Sequence, residues 1–506
     1  MRNFFFNIFI LLFFITLKSN TTHEIDPSLD TSARFTLSTG VGTGNPYLTT
    51  VNSTQFTVDG SLVQTYTISS SGLYTFVGDI AYQATEGASG QGGATALFID
   101  ADNVVIDLNG RTIYNNNGAD NNALTGIEIA SNRNNITIKN GTINEFGTQG
   151  ILVNDGCSAI FLKNISISNC NIIGIYFKGT SGNPIKGALL DTLSITNINY
   201  NAVGNACGIF LNYTQDTLIN NTIITNVINS NGDAYGILAN GSKYLKYINT
   251  TISSTRGKKS SNFHFVTAIG SIIENCNSLY SSGSNGDSFG YHLIFCKSVL
   301  LKNCISSKHT ASSSNCYGFY NQSSANINLK NCFSYSCSNS SAGATTTAGF
   351  YTTTTARSSF TDCKSVGHQT ANNASAIAAG FILAADCTQN TFQNCTAQAN
   401  GNQSSAGNAY GFYFGNNSTN TYNSINNCLS LANICNASGA AKGFYDISTN
   451  STNMFVNNFA FGNTNSSTTD NYDITVVGTF PEVESGIGGI TALSGKPYLY
   501  NVSIWG

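Results

Sequence analysis

Two short motifs place acidic residues at matching positions. "NGDAYG" ends at Gly236 and "NGDSFG" ends at Gly290, so Asp233 and Asp287 each stand three residues before a glycine. Between them, Lys259 stands three residues before Asn262, and His264 and His292 follow Asn262 and Gly290 by two residues. If these segments are neighbouring parallel strands, they stack as an Asp–Lys–Asp column with two imidazoles beside it and Arg256 close by. The carboxylates would then be ~9.6 Å apart, near the ~6.5–9.5 Å at which one carboxyl protonates a glycosidic oxygen while another activates water. Asp233, Lys259, Asp287, His264 and His292 are therefore the candidate catalytic residues. The column has a plainer use too, because a lysine between two carboxylates relieves like-charge stacking. Contact with a ligand or metal is a third. No CxxC pair and no Cys/His cluster has zinc spacing, so neither a metal site nor a cofactor is assigned.

An internal repeat is what would stack these segments. "GYHLIFCKSVLLKNC" (Gly290 to Cys304), "GFYNQSSANINLKNC" (Gly318 to Cys332) and "GFYTTTTARSSFTDC" (Gly349 to Cys363) each open on glycine and close on a cysteine fourteen residues later. Allowing substitutions, repeats start at Ala96, Gly126, Gly150, Gly174, Gly208, Gly236, Asn262, Gly290, Gly318, Gly349, Gly380, Gly411 and Gly443, in steps of 24 to 34 residues. Self-similarity at such a period marks a stacked architecture. No segment holds a 3.6-residue apolar period with caps, whereas short alternating runs between Asn, Ser and Gly turns read as strands. In "GILVNDGCSAIFLKNISISNC", "GILV", "AIFL" and "ISIS" are three strands of one coil. The Asn before the third strand recurs as Asn109, Asn140, Asn164, Asn275, Asn303, Asn331, Asn394 and Asn427. It suits a tight left-handed turn, and stacked coils would let these amides bond in a ladder.

Cys276, Cys304, Cys332, Cys363, Cys395 and Cys428 begin the third strand of six consecutive coils. Alternation points them inward, where cysteine is a small apolar residue that tolerates burial. They read as a free-thiol ladder, because parallel Cβ vectors do not suit a disulfide. On this reading Cys332→Ser costs about 1–3 kcal/mol, the penalty of a buried hydroxyl without a partner. Disulfides between some rungs and metal binding are the alternatives.

The Gly-apolar-x-apolar strand and the Asn turn together resemble the right-handed parallel β-helix of the pectate-lyase-like superfamily, over about Ala96 to Asn463. The resemblance implies an all-β solenoid of about thirteen coils with an N-terminal cap segment. It specifies function less, since the superfamily includes lyases, hydrolases, adhesins and phage tailspikes. The grouped aspartates, Gly-His-Gly and Arg-x-Lys of polygalacturonase-like members are absent. Lyase-like members use calcium-binding carboxylates with an Arg or Lys base; here no acid stacks above Asp100, Asp102 and Asp107. If the residue after each coil's glycine points inward, the next points outward: Phe98, Glu128, Leu152, Tyr176, Phe210, Leu238, His264, His292, Tyr320, Tyr351, Ile382, Tyr413 and Tyr445. Such an apolar stripe marks either a surface covered by loops or a binding platform. Tyr176, Phe210, Tyr320, Tyr351, Tyr413 and Tyr445 are the candidate ligand-binding residues, positioned to stack against sugar rings.

The bulk properties frame these expectations. Charged residues make up 9% of the chain, against about 25% in ordinary globular proteins, and Asn, Ser, Thr and Gly carry the polarity. A net charge of -3 offers no basic face for nucleic acid. Residues 1–20 read as a secretory signal, with Arg2 before the apolar run Phe4 to Leu17, and no other transmembrane candidate follows. The expected organisation is a signal (1–20), an N-terminal β cap (21–95), the β-helix (96–463) and a closing segment (464–506). The expected function is that of a secreted or surface protein binding an extended carbohydrate or other surface ligand along its first-strand face, with polysaccharide or surface glycan as partner. A polysaccharide lyase or glycoside hydrolase with an atypical site, and a structural envelope or adhesion protein, are the alternatives; the balance leans away from an enzyme. Oligomeric state is not legible.

Overall fold

The computed structural model describes residues 48–51, 58–59, 62–63, 65–82, 95–116, 124–340, 345–370, 375–402, 407–415, 420–435, 439–447, 452–464, 470–474, 476–477 and 492–493. The expected signal, and most of the cap and closing segments, lie outside them. The described residues form an all-β, right-handed parallel β-helix without helices.

One ladder of fifteen parallel strands collects the first strand of every coil. All thirteen coil starts named above fall in it, from Thr95–Ile99 to Ala441–Asp446. It extends by one strand at each end, Tyr66–Ile68 pairing with Leu97 to Ile99 and Asp470–Ile474 pairing with Lys442 to Asp446. Stacking thus begins before Ala96. A representative coil runs through Ser288–Ile294, Lys297–Lys302, Ile305–Ser307 and Thr310–Ala311 before Cys316–Gln322 opens the next. Each of these strands pairs in register with its counterpart one coil on.

Corners are made by residues in the left-handed region. Asn109, Asn140, Asn164, Asn275, Asn303, Asn331, Asn394 and Asn427 all have φ between 51° and 59°. Asn tolerates this conformation because its short amide can bond locally. The amides also bond between coils: Asn164 Nδ2 donates to Asn140 Oδ1 (3.1 Å), Asn303 to Asn275 (3.0 Å) and Asn331 to Asn303 (2.8 Å).

The core is a stack of identical stations. Phe263, Tyr291, Phe319, Phe350, Phe381, Phe412 and Phe444, each one residue after a coil start, lie ring on ring at 4.7–4.8 Å and within 7° of parallel. Such offset pairs contribute ~0.5–1.5 kcal/mol each beyond their burial. The glycine before them is sterically required: a Cβ at Gly290 would collide with Ser306 Oγ and the Gly318 carbonyl. All fourteen cysteines are buried free thiols. Cys276, Cys304 and Cys332 donate to the carbonyls two residues back, Glu274, Lys302 and Lys330, at 3.3–3.6 Å. Thr222 and Thr250 occupy the same station in the two preceding coils and make the same bond at 3.1 and 3.2 Å. The expectation of an unpartnered hydroxyl at Cys332 is therefore corrected, since a hydroxyl there has a carbonyl to bond.

Candidate functional site

Register brings the charged quintet together. Ala234 pairs with Ser260 and Ser260 with Ser288, so the preceding residues, Asp233, Lys259 and Asp287, occupy one column. Leu238 pairs with His264 and His264 with His292, which puts both imidazoles in the neighbouring outward row. That row is continuous, running in register from Phe98 through Glu128, Leu152, Tyr176, Phe210, Leu238, His264, His292, Tyr320, Tyr351, Ile382 and Tyr413 to Tyr445.

The two carboxylates hold backbone as well as charge. Asp233 Oδ1 accepts the Lys259 N–H (3.1 Å), and its Oδ2 accepts the Tyr235 hydroxyl (3.2 Å). Asp287 Oδ1 accepts the Asn315 N–H (2.9 Å), Asn315 Nδ2 (3.1 Å) and the Ser314 hydroxyl. Lys259 forms no ion pair with either carboxylate; the described ion pairs are Arg133–Asp100, Lys139–Asp107 and Lys302–Glu274. Its ammonium lies 5.2 Å from the centre of the Phe289 ring, a cation–π contact. The side chain is half-buried, and burial pulls its pKa below the ordinary lysine value, partly offset by Asp233 and Asp287. It is a cation whose charge is incompletely compensated at short range.

The histidines are floor rather than rim. His264 and His292 are 5% and 2% exposed. His292 lies beneath the Phe289 ring at 3.9 Å and meets His264 and Tyr320 edge-on at 4.5 and 4.9 Å. Nδ1 of His264 and both ring nitrogens of His292 have no hydrogen-bond partner. Burial, with Lys259 adding its charge, pushes His264 down to about 3. Burial, His264 and Lys259 hold His292 well below the usual imidazole range. Both rings are therefore neutral near pH 7 and poorly suited to acid–base exchange.

Apolar clusters flank the quintet. On the N-terminal side Ile173, Cys207, Tyr235 and Leu238 pack with Tyr176 and Phe210. On the other side Phe289, Tyr317, Ala348, Ala379, Ile382 and Tyr410 pack with Tyr320, Tyr351, Tyr413 and Tyr445. The six aromatics named from the sequence are half-buried here. Tyr176 stacks on Phe210 (4.8 Å, 4°) and Tyr320 on Tyr351 (5.1 Å, 10°). Rings that stack at the coil spacing have their faces along the solenoid axis. Each ring thus turns a face to its stacking partner, and its edges lie across the axis.

A second row, on the outer side of the first strands yet buried throughout, escapes the sequence reading: Ile173, Cys207, Tyr235, Ser261, Phe289, Tyr317, Ala348, Ala379 and Tyr410. Strict alternation puts Phe289 on the same side as Tyr291. The register passes from Phe289 to Tyr291 without pairing Gly290, and the kink turns Phe289 outward onto His292. The aromatic-glycine pairs of "DAYG", "DSFG", "NCYG" and "NAYG" are the available signal.

No protein-family model matches the chain, and no curated protein matches it. Among solved structures it is similar to the A-module of the mannuronan C-5 epimerase AlgE4 of Azotobacter vinelandii, at 12% identity over 76% of this chain and 91% of that one, with a TM-score of 0.31. It is also similar to PfbA, a surface adhesin of Streptococcus pneumoniae, at 10% identity over 76% and 82%, with a TM-score of 0.34. A third is the catalytic domain of a GH87 alpha-1,3-glucanase in complex with tetrasaccharides, at 12% identity over 84% and 70%, with a TM-score of 0.31.

Proposed function

We propose that the protein acts outside the cell or at its surface and binds an extended carbohydrate along the first-strand face. One observation carries this reading: the outward row is unbroken from Phe98 to Tyr445, and two aromatic clusters flank Lys259 near its middle. An extended chain of pyranose rings has hydroxyl edges that match a row of phenolic hydroxyls and ring edges. Tyr320 and Tyr351, and then Tyr413 and Tyr445, form the tyrosine half of the track, with Tyr176 and Phe210 beyond Lys259. The test is a glycan array and polysaccharide affinity electrophoresis with the wild type and a Tyr320→Phe/Tyr351→Phe variant, which removes the hydroxyls and keeps the packed rings. Retarded migration that the double variant loses at least tenfold, with its melting curve little changed, is the expected result. A wild type that binds no glycan sinks the reading.

A second reading, cleavage of that carbohydrate, is favoured by Lys259 alone, a half-buried amine with a lowered pKa beside two carboxylates. It predicts new unsaturated or reducing ends from a polysaccharide panel and their loss in Lys259→Met. A purely structural envelope role predicts neither binding nor cleavage.

A further inference from the structure

The corner between third and first strands carries another interior column: Ser281, His309, Cys337, His368, Asn400, Asn433 and Asn463, one residue per coil. Their successors pair in register, Ser282 with Thr310, then Ser338, Gln369, Gly401, Ile434 and Thr464. The column has a rule, in which a side chain accepts the backbone N–H of the coil before it. His309 Nδ1 accepts from Ser281 (3.0 Å), His368 Nδ1 from Cys337 (3.2 Å) and Asn433 Oδ1 from Asn400 (3.1 Å). Cys337 is the station where a thiol stands between two imidazoles.

Cys337 also has a thiol neighbour. It packs with Cys316 and Ala311 in a small cluster separate from the main core, and both thiols are fully buried. Thr310, Ala311, Ser338, Gln369 and Thr370 line a surface pocket of about 270 Å3 directly outside. Ala311 belongs to both the thiol cluster and the pocket lining. The third-strand cysteines differ: Cys332 and Cys363 belong to the main core and donate to Leu301 and Leu329 carbonyls at 3.5 Å. Among the described residues no His, Cys, Asp or Glu group is arranged to hold a metal ion, which separates this cluster from a zinc site.

We propose that Cys316 and Cys337 form an oxidisable dithiol whose oxidant is a small hydroperoxide entering through this pocket. The Cys337 sulfur attacks the terminal oxygen of ROOH. An S–O bond forms, the O–O bond breaks, and the thiol proton leaves with the alkoxide as ROH. The Cys316 sulfur then attacks Cys337. The S–S bond forms, the S–O bond breaks, and the second thiol proton leaves with hydroxide as water. The thiols lose two electrons and the peroxide gains them. Burial alone would push the Cys337 thiol up; the contact with Cys316 acts in the opposite sense. The disulfide would tie the opening of one coil to its own last corner.

The test uses the full chain, reduced, desalted and titrated with hydrogen peroxide, then alkylated in denaturant and peptide-mapped. A Cys316–Cys337 cross-linked peptide, with the intact mass falling by two hydrogens, should appear before any other of the fourteen cysteines reacts. Cys316→Ser should leave Cys337 as a sulfenic acid trapped by a dimedone probe. The wild-type map decides the matter even if that variant fails to fold. First oxidation within the third-strand thiols, or folded protein with no cross-link at peroxide levels that oxidise a free cysteine peptide, would overturn the proposal.

Discussion

His264, His292 and His309 are buried imidazoles, with His264 held at about 3 and His309 pushed by burial down to about 4. In the unfolded chain each would titrate near 6.5. Between those values the unfolded state binds more protons, so stability falls as pH drops below 6.5, by about 1.4 kcal/mol per pH unit for each histidine. Denaturant midpoints measured from pH 8 to pH 4 should drop steeply below pH 6.5, and His264→Leu should flatten the slope; a level profile would contradict the burial of these rings. Cys332 offers a second test. Because Thr222 and Thr250 fill the same station in other coils, Cys332→Thr should cost less than about 1.5 kcal/mol in urea melts, since the hydroxyl finds a carbonyl. Asp287 is the third: its Oδ1 accepts three donors from Ser314 and Asn315. Asp287→Asn should therefore cost about 1–3 kcal/mol whether or not any chemistry occurs, and an unchanged melting curve would show that the carboxylate is held for function alone.

At the scale of the element, each corner has its residue type. Thr192 occupies the station of Asn164 and Asn221 with φ of 57°, and is exposed there. A β-branched residue in the left-handed region is strained, whereas Asn is not. Thr192→Asn should raise stability by about 1 kcal/mol, read as a shift in denaturation midpoint, and would link the amide of Asn164 to that of Asn221. The same logic explains what is legible in sequence. The Asn corners, the first-strand row and the Asp–Lys–Asp register follow from one repeated spacing, because in-register stacking converts equal offsets from a glycine into spatial columns. What the spacing does not carry is the kink at that glycine, which turns Phe289 and Tyr317 outward. Nor does it carry the direction of stacked rings, set by the neighbour above and below. The His309–Cys337–His368 column is also hidden, because its residue types change from coil to coil while its position does not.

At the scale of the molecule, the solenoid turns a short coil into a long track. Parallel coils at ~4.8 Å spacing place equivalent side chains at regular intervals over the whole first-strand face. No single residue need bind tightly, since affinity along a repeating ligand accumulates from many weak contacts. Lys259, in the column beside this row, lies near its middle and is the natural point of polarity for an acidic or hydroxyl-rich segment. The most direct test of this account is hydroxyl-radical footprinting of the wild type with and without members of a polysaccharide panel. Tyr320, Tyr351, Tyr413 and Tyr445 should be protected together by a polysaccharide that binds, while the exposed Tyr244 and Tyr422, outside the first-strand row, keep their reactivity. Protection confined to Tyr244 or Tyr422, or no protection of the row by any bound polysaccharide, would contradict a carbohydrate track on the first-strand face.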